Sequence, residues 1–309
     1  MALVLIDSHA ILHRAYHALP KPNFKRKGQL VNAVYGFFSM LLKAIDELKP
    51  DYLAACFDAP GPTFRHEQFI GYQANRPKMA DELREQIELA RTALKKAGIL
   101  VLIQPGFEAD DLIGTIVEKS KIQKPKTKKI RFKTGEIVVV TGDKDLMQLV
   151  DDQVKLFLLS KGISGAELVG PEEVEKKLGV RPGQVVDYKA LVGDPSDNYP
   201  GVAGIGPKTA GKLLAKFGRL EKIWPHLDEI DSRLREKLEQ GRQAAELSYR
   251  LALINRQAPI KFKLSQACWS QQKLENLRQV LKDLGFPSLV KRIDKMVDFQ
   301  ERGRQMGLF

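Results

Sequence analysis

The sequence predicts an α/β fold with a mostly parallel sheet, followed by an all-helical region. Short runs of β-branched and other apolar residues recur through the first half of the chain, and helical patterns lie between several of them. This alternation is typical of parallel sheets whose strands are joined by crossover helices. Beyond Pro171 the strand signal fades and helical patterns dominate.

Five segments are predicted strands, because each is a short apolar run bounded by polar or turn residues. They comprise residues 2–6, 52–57, 99–103, 137–140 and 154–159. Apolar residues from Val31 to Leu48 form one stripe at helical spacing, and shorter helical patterns cover residues 109–117 and 146–150. We therefore expect an α/β domain over residues 1–165.

The second region carries four helical patterns, at residues 171–178, 182–192, 207–217 and 233–255. Three of them open with Pro, which suits the first position of a helix because its missing N–H would have no partner there. We expect an all-helical domain over residues 166–262. The remaining residues, 263–309, carry two weaker helical patterns and a polar end.

The overall charge of the chain indicates an anionic partner, nucleic acid first. Lys and Arg number 50 against 38 Asp and Glu, so the formal net charge is +12. Two cysteines, Cys56 and Cys268, exclude a disulfide scaffold and a Cys-rich zinc site. No apolar run approaches the roughly 20 residues that cross a bilayer, and the first residues lack the pattern of a signal peptide. We expect a cytoplasmic protein without membrane contact.

Carboxylates follow three of the predicted strands. Asp7 follows the first strand, Asp58 the second, and Asp143 and Asp145 the fourth. Because the carboxyl ends of parallel strands meet at one edge of a sheet, these side chains are expected to lie together. Two further groups occur at the start of a predicted helix and of the helical region: Glu108, Asp110 and Asp111, then Asp194 and Asp197.

Each carboxylate group alone has a plainer explanation, as a turn residue or as a complement to a helix dipole. Together at one edge, however, these side chains would repel one another strongly unless cations neutralised them. An all-oxygen ligand set without a His, Cys or Ser nucleophile suits Mg²⁺ or Mn²⁺. Two such ions about 4 Å apart are a recurring arrangement for phosphodiester hydrolysis. The sequence therefore predicts a two-metal site.

Residues 201–218 predict a turn that grips a nucleic-acid backbone. Gly204 and Gly206 allow close approach of the backbone to a phosphate, and the helix that opens near Lys208 and Thr209 offers free N–H groups to it. Lys208, Lys212 and Lys216 follow at i, i+4 and i+8 and so form a basic stripe. The pattern is a helix-hairpin-helix signature, which binds phosphates without reading bases. An ordinary packing turn between helices is the alternative.

Several motifs, in this order, resemble the 5′ nuclease family, which includes the N-terminal domain of bacterial DNA polymerase I, stand-alone 5′–3′ exonucleases and flap endonucleases. The motifs span residues 3–262 and read IDSHAILHRAYHAL, CFDAPGPTFRHE, GFEADDLIG, TGDKDLMQL and GDPSDNYPGVAGIGPKTAGKLL. The resemblance implies a PIN-like parallel-sheet nuclease domain, with a helical arch around residues 62–97, followed by the helix-hairpin-helix domain. It also implies cleavage of DNA at a 5′ flap or 5′ end, with RNA primers as a further possible substrate.

The resemblance also implies roles for individual residues. Asp7, Asp58, Glu108 and Asp110 would hold the first metal ion, and Asp111, Asp143, Asp145, Asp194 and Asp197 the second. Arg65, Arg76 and Lys78 would act on the reacting phosphate, and Arg14, Tyr72 and Gln73 would contact the 5′ strand. A K⁺ ion would bridge the hairpin and a DNA phosphate.

One position departs from the family pattern, which reads Tyr-Lys-x-x-Arg, whereas this chain reads Tyr72, Gln73, Ala74, Asn75 and Arg76. A lysine there would neutralise charge on the reacting phosphate, whereas Gln73 only donates a hydrogen bond. We therefore expect an active nuclease with a slowed chemical step. A catalytically weak, structure-specific DNA-binding protein of the same fold is the alternative.

Two further segments carry hypotheses. The basic stretch at residues 119–133 is either a solvated loop or an auxiliary phosphate-binding loop, placed at the sheet edge opposite the metal ligands. The final residues, with Gln305, Leu308 and Phe309, are similar to the peptide by which bacterial replication proteins bind the sliding clamp, and a frayed terminus is the alternative. That peptide implies a stand-alone nuclease, and a monomer is the simplest expectation.

Overall fold

A six-stranded sheet forms the centre of the first domain. The computed structural model describes residues 1–20, 24–26, 28–121, 135–159 and 165–305, with side chains up to residue 298. The strands are β1 (Leu3–Asp7), β2 (Lys25–Arg26), β3 (Gln29–Leu30), β4 (Tyr52–Phe57), β5 (Leu100–Ile103), β6 (Ile137–Thr141), β7 (Val154–Leu159) and β8 (Ala166–Val169). The main sheet has the order β5-β4-β1-β6-β7-β8, and β2 pairs with β3 in a separate antiparallel ribbon.

The five predicted strands are confirmed, and all of them run parallel in the main sheet. The sixth strand, β8, is antiparallel to β7 and extends the sheet beyond residue 165. The sheet therefore includes residues that we expected in the helical domain. This edge strand is short and half-exposed, so its sequence lacks the continuous apolar run that marks the buried strands.

Helices cover both faces of the sheet. They are α1 (Ser8–Ala18), α2 (Asn32–Leu48), α3 (Phe64–Gln68), α4 (Asp81–Lys96), α5 (Ala109–Ser120), α6 (Pro171–Leu178), α7 (Val185–Val192), α8 (Pro207–Phe217), α9 (Ser232–Ala252), α10 (Gln271–Asp283) and α11 (Pro287–Gln305). Residues 145–149 and 182–184, expected in α-helices, form 3₁₀ turns instead.

Alternate residues of each strand enter two separate cores, as the two-residue period of a strand requires. Val4 and Ile6 of β1 pack with α1, α2, α4, α10 and α11 on one face. Leu3 and Leu5 face the other way, toward α5 and the helical domain. The sheet is thus buried on both sides, which explains why its central strands read as continuous apolar runs.

The two C-terminal helices pack into the first core. Leu277 and Leu281 of α10 and Ile293 of α11 are fully buried against α2 and α4. Phe286, between the two helices, is also buried, and Tyr35 of α2 packs edge-on against its ring. The weak helical patterns beyond residue 263 therefore mark two helices that close one face of the domain.

The segment expected to form a helical arch is helical only at its two ends. α3 and α4 flank residues 69–80, which form turns and extended backbone. α4 packs against α2 and carries buried Leu83, Ile87 and Leu94. The non-helical stretch between α3 and α4 supplies most of this segment's lining of the cleft described below, together with Arg65 of α3 and Leu83 of α4. Most of the basic stretch, residues 122–134, lies outside the described residues.

Two exclusions made from the sequence can be compared with the structure. Both cysteines are free thiols, Cys56 buried within β4 and Cys268 exposed. Among the described helices, none combines the length and the apolarity that a bilayer span requires.

Candidate metal centre

The topology brings the strand-end carboxylates together in one cleft. β1 pairs with β4 on one side and β6 on the other, with Asp7 beside Cys56 and Ile6 beside Val140. Asp7, Asp58 and Asp143 therefore leave the sheet at the same edge. They line a cavity of about 1150 Å³ together with Glu108, Asp110, Asp145, Asp194 and Asp197. Eight of the nine expected metal ligands thus share one cleft.

A short chain of hydrogen bonds fixes the central carboxylates. Asp7 is 2% exposed and caps α1, accepting from the backbone N–H of Ala10 at 3.2 Å. Its other oxygen accepts from the Thr141 hydroxyl at 2.6 Å. The N–H of Asp143 donates to that hydroxyl at 2.9 Å, and Asp143 accepts from the N–H of Asp145 at 2.8 Å. The end of β6 is thus tied to the end of β1.

The start of α5 supplies the next carboxylates. The N–H of Ala109 donates to Asp58 at 2.7 Å, which holds the end of β4 against the helix N-terminus. Glu108 accepts from the Tyr72 hydroxyl at 3.2 Å, so Tyr72 is a buried support of the cleft wall. The free N–H groups and the dipole of a helix N-terminus favour negative charge at this point.

Burial and mutual repulsion raise the pKa values of the central carboxylates. Burial, with the charges of Asp143 and Asp58, raises the pKa of Asp7 to about 7. Burial raises the pKa of Glu108 to about 7 in spite of nearby Arg65, and it raises that of Asp110 well above the ordinary range. Buried carboxylates that repel in this way are costly without a cation. Their all-oxygen donor set therefore fits hard divalent ions.

The tightest cluster lies where the two domains meet. Ligand oxygens of Asp145, Asp194 and Asp197 all lie within 4.8 Å of one another, and among the described residues no other group of three or more potential ligands is that close. The loop that carries Asp194 and Asp197 is closed by paired backbone hydrogen bonds between Asp194 and Tyr199, at 3.0 and 3.1 Å. At Gly201, with φ +62°, an added Cβ would lie 2.3 Å from the Gly193 nitrogen, so this closure requires glycine.

Lys189 of α7, which was not among the predicted site residues, enters this cluster. Its ammonium contacts Asp145 and lies 2.6 Å from Asp194. Burial opposes its charge, but the attraction of these carboxylates prevails and raises the pKa of Lys189. The same ammonium holds the pKa of Asp194 below its usual value despite partial burial. The sequence marks Lys189 only by its position five residues before Asp194. A lysine at such a position in a helix is common, so it does not identify a site residue.

The turn after α3 contacts the third member of the cluster. The Gln73 amide donates to Asp197 at 3.2 Å, and the Arg76 guanidinium donates to the same oxygen at 2.6 Å. Asn75 and Asn198 hydrogen bond to each other at 2.7 Å, and Asn198 donates to the Gly71 carbonyl at 2.7 Å. The departure from the family pattern therefore lies directly on the candidate metal site.

Asp111 and Arg65 are bound to each other in the structure. Asp111 is completely buried, and both of its oxygens bind the Arg65 guanidinium, at 2.8 and 2.9 Å. Asp111 also accepts from the N–H groups of Glu108 and Asn255. Arg65 is 3% exposed and donates to the carbonyls of Leu251 and Leu253. The two residues form a buried ion pair, in which Arg65 reaches the cleft wall and Asp111 does not line the cleft.

Other cleft residues include two predicted basic residues and a row of histidines that was not predicted. Arg14 and Lys78 line the cavity as expected. His9, His13 and His17 do so as well, at i, i+4 and i+8 on α1. The His13 and His17 rings lie 4.6 Å apart, and burial, with nearby His17 and Arg76, lowers the pKa of His13. Their helical spacing was the available signal.

The glycine turn has the expected local structure. Gly204 has φ +75°, and α8 begins at Pro207, directly after Gly206. Thr209 and Ala210 donate their N–H groups to the Gly206 carbonyl. Lys208, Lys212 and Lys216 are all exposed, and Lys216 also pairs with Glu229 at 3.0 Å. The basic stripe thus lies on the surface over its full length, with the charge of Lys216 partly offset by Glu229.

Most of the C-terminal peptide lies outside the described residues. Leu308 and Phe309 lie outside the described residues. Gln305 is the last residue of α11, and its side chain is not among the described ones.

Both domains of the chain match models of the same protein family. Residues 2–179 match the model described as 5′-3′ exonuclease, N-terminal resolvase-like domain, and residues 180–275 match 5′-3′ exonuclease, C-terminal SAM fold. The chain is 41% identical over 305 residues to DNA polymerase I of Caldicellulosiruptor bescii, covering 97% of this chain and 34% of that protein. It is 39% identical over 293 residues to DNA polymerase I of Bacillus subtilis, covering 94% and 32%. The chain thus spans about a third of the length of these curated relatives.

Solved structures share the fold at low sequence identity. T5 5′-exonuclease with bound divalent metal ions (zinc) superposes with a TM-score of 0.64 at 18% identity, covering 96% of this chain and 99% of that one. The catalytic core of Rad2 in complex with DNA substrate superposes with a TM-score of 0.58 at 19% identity, covering 96% and 90%.

Proposed function

The chain belongs to the 5′-3′ exonuclease family, and on that basis we propose that it is a metal-dependent 5′–3′ exonuclease and structure-specific 5′-flap endonuclease acting on DNA. The observation that carries the proposal is the cleft at the carboxyl edge of the sheet, which gathers eight carboxylates and brings Asp145, Asp194 and Asp197 within ligand distance of one another. Clusters of this kind serve phosphodiester hydrolysis.

Two sets of carboxylates would hold the divalent ions, Mg²⁺ or Mn²⁺. The first comprises Asp7, Asp58, Glu108 and Asp110, and the second Asp143, Asp145, Asp194 and Asp197. Ions bound there would activate water for attack and offset the charge that develops on the phosphate and the leaving oxygen. Asp111 is not included, because the Arg65 guanidinium occupies both of its oxygens.

Basic side chains of the cleft would position the substrate. Arg14, Arg76 and Lys78 line the wall above the carboxylates and would bind phosphates of the 5′ strand. Gln73 and Tyr72 would act mainly by holding the cleft wall, through Asp197 and Glu108. The turn at Gly204 and Gly206, with Lys208, Thr209 and Lys212, would hold duplex phosphates, with a K⁺ ion between turn and phosphate.

A flap-cleavage assay tests the proposal. The protein is incubated with a labelled 5′-flap duplex in EDTA, Mg²⁺ or Mn²⁺, and compared with Asp143→Ala. We expect cleavage near the junction with either metal, none in EDTA, and a loss of about 10²-fold or more in Asp143→Ala. Metal-independent binding of the flap without cleavage would instead support a DNA-binding protein of this fold.

Three finer expectations accompany the proposal. The final residues, including Gln305, Leu308 and Phe309, would dock on a bacterial sliding clamp by filling an apolar pocket. Deleting Leu308 and Phe309 would then abolish clamp binding in a pull-down with purified clamp, and unchanged binding would contradict it. A cytoplasmic monomer is the remaining expectation, and sedimentation velocity checks the oligomeric state.

A further inference from the structure

A protein cation already lies in the tightest carboxylate cluster. The Lys189 ammonium contacts Asp145 and lies 2.6 Å from Asp194, so one lysine bridges two of the three clustered carboxylates. The side chain of Lys189 is 14% exposed, and those of Asp145 and Asp194 are 17% and 15% exposed. A single positive charge therefore lies in the space between oxygens that would face a shared cation.

The third carboxylate is also neutralised by the protein. Asp197 accepts from Arg76 at 2.6 Å, and its side chain is 13% exposed, whereas that of Arg76 is 52% exposed. Buried carboxylates at such distances repel strongly, so these cations keep the cluster assembled without an added ion. The local arrangement thus has its own counter-charges.

A second observation is an unpaired buried hydroxyl in the loop that carries Asp194 and Asp197. Tyr199 is 3% exposed, and among the described residues its hydroxyl has no hydrogen-bond partner. Two backbone hydrogen bonds, at 3.0 and 3.1 Å, join Tyr199 to Asp194, and Asp194 in turn contacts the Lys189 ammonium. An unpaired buried hydroxyl is rare and costly, and an ammonium on the flexible stem of a lysine is a donor that suits it.

On the premise of the proposed metal-dependent function, we infer that Lys189 is an internal counter-ion that a divalent cation displaces from the Asp145–Asp194–Asp197 cluster. The site therefore binds its metal by exchange rather than by filling an open cage. The Tyr199 hydroxyl is the acceptor available to the displaced ammonium. The Lys189 charge stabilises the metal-free protein. Because the metal must displace this charge, the affinity of this site is lower than that of the other set of carboxylates.

Removing the lysine charge tests the exchange. In Lys189→Met the cation no longer competes, so this site is expected to bind Mn²⁺ about tenfold more tightly or better. Lys189→Gln keeps a hydrogen-bond donor without the charge and is expected to behave in the same direction. Lys144→Met is the matched control, because Lys144 lines the same cleft and its loss changes the net charge equally. Its effect on the affinity is expected to stay below about threefold.

The affinities are measured by Mn²⁺ electron paramagnetic resonance, which counts free Mn²⁺ and needs no turnover. The full-length wild-type protein is expected to show a tighter and a weaker site, with only the weaker one changed in the Lys189 variants. If the wild-type protein binds no Mn²⁺, the proposed metal-dependent function is wrong. If the wild-type protein binds Mn²⁺ but the weaker site is unchanged or weakened in both Lys189 variants, the exchange itself is overturned.

Thermal unfolding provides a second measurement, which also reports on variants that fold less stably. In EDTA, Lys189→Met leaves two carboxylates without their cation, so its Tm is expected to fall below that of the wild type. Saturating Mn²⁺ is expected to recover this loss, so that the metal-induced rise in Tm is larger in Lys189→Met than in wild type. A smaller rise than in wild type would contradict the exchange.

Discussion

Replacement of Arg65 by Met distinguishes a structural anchor from a substrate contact. The Arg65 guanidinium makes two hydrogen bonds to Asp111, at 2.8 and 2.9 Å, and one to Glu108 at 3.0 Å. It also donates to the carbonyls of Leu251 and Leu253, at 2.9 and 3.1 Å. Only 3% of the residue is exposed, and the hydrogen bonds to Asp111 and to the Leu251 carbonyl are buried, whereas those to Glu108 and Leu253 are partly buried.

The expected loss follows from what the substitution leaves behind. Removing one partner of a buried ion pair costs about 3–5 kcal/mol, because the other charge remains buried. Asp111 keeps two backbone N–H donors, from Glu108 at 3.1 Å and Asn255 at 2.8 Å. These donors stabilise the unpaired carboxylate, so the cost of breaking the ion pair is expected to lie near the lower end of this range. The two carbonyls that lose their donor add to this cost. We therefore expect Arg65→Met to lower the free energy of unfolding by about 4 kcal/mol.

Urea denaturation of the metal-free protein measures this quantity, with Arg65→Lys and Arg65→Met/Asp111→Leu as comparisons. Arg65→Lys keeps the charge but not the planar fork, so an intermediate loss is expected. The double variant removes both buried charges and is expected to recover about 2 kcal/mol relative to Arg65→Met. A loss under about 1 kcal/mol in Arg65→Met, together with much slower cleavage, would refute the structural role and restore the expected contact with the phosphate.

Three further predictions concern the cleft and the hairpin. Gln73→Lys places a charged donor beside Asp197 and the substrate phosphate, so single-turnover cleavage should accelerate about tenfold, and an unchanged rate would contradict the expected slow chemical step. Lys208→Ala and Lys212→Ala should each lower the slope of log binding affinity against log salt by about 1 while Mn²⁺ binding stays as in wild type, and an unaltered slope would place the duplex elsewhere. The raised pKa of Asp7, about 7 in the folded protein against 3.8, means that the folded state binds more protons between these values. The metal-free protein should therefore lose stability as pH rises from about 4 to about 7, and saturating Mg²⁺ should remove that dependence; urea titrations with EDTA or Mg²⁺ at both pH values check this.

The sheet was predictable because its strands are buried on both faces. Their apolar runs have few polar interruptions, and the carboxyl edge then follows from parallel pairing. The helix α1 was not predicted, since its cleft-facing positions carry His9, His13 and His17 and leave only a narrow apolar stripe. The strand β8 was missed because an exposed edge strand of four residues has no period strong enough to identify it.

The candidate site was predictable in composition but not in detail. Asp110 and Asp111 are adjacent on α5, so their side chains point about 100° apart around the helix. One of them therefore faces the cleft while the other is completely buried beneath it. The motif names both residues, and only the rotation of the helix against its neighbours decides which one is available. The Arg65 partner of Asp111 lies 46 positions earlier, beyond any local pattern.

Arg65 and Lys189, the two buried cations near the cleft, differ in how firmly their contacts hold them. Arg65 binds Asp111 through a planar fork and is also held by two carbonyls, so no single competing ion replaces its five hydrogen bonds. Lys189 is a compact charge on a flexible stem, and both of its carboxylate partners belong to the candidate metal cluster. Arg65, which we expect to stay in place, is thus an arginine bound bidentately, whereas Lys189, which we infer is displaced by the metal ion, is a lysine. The same contrast explains why substitution of Arg65 should appear as lost stability, and substitution of Lys189 as altered metal affinity.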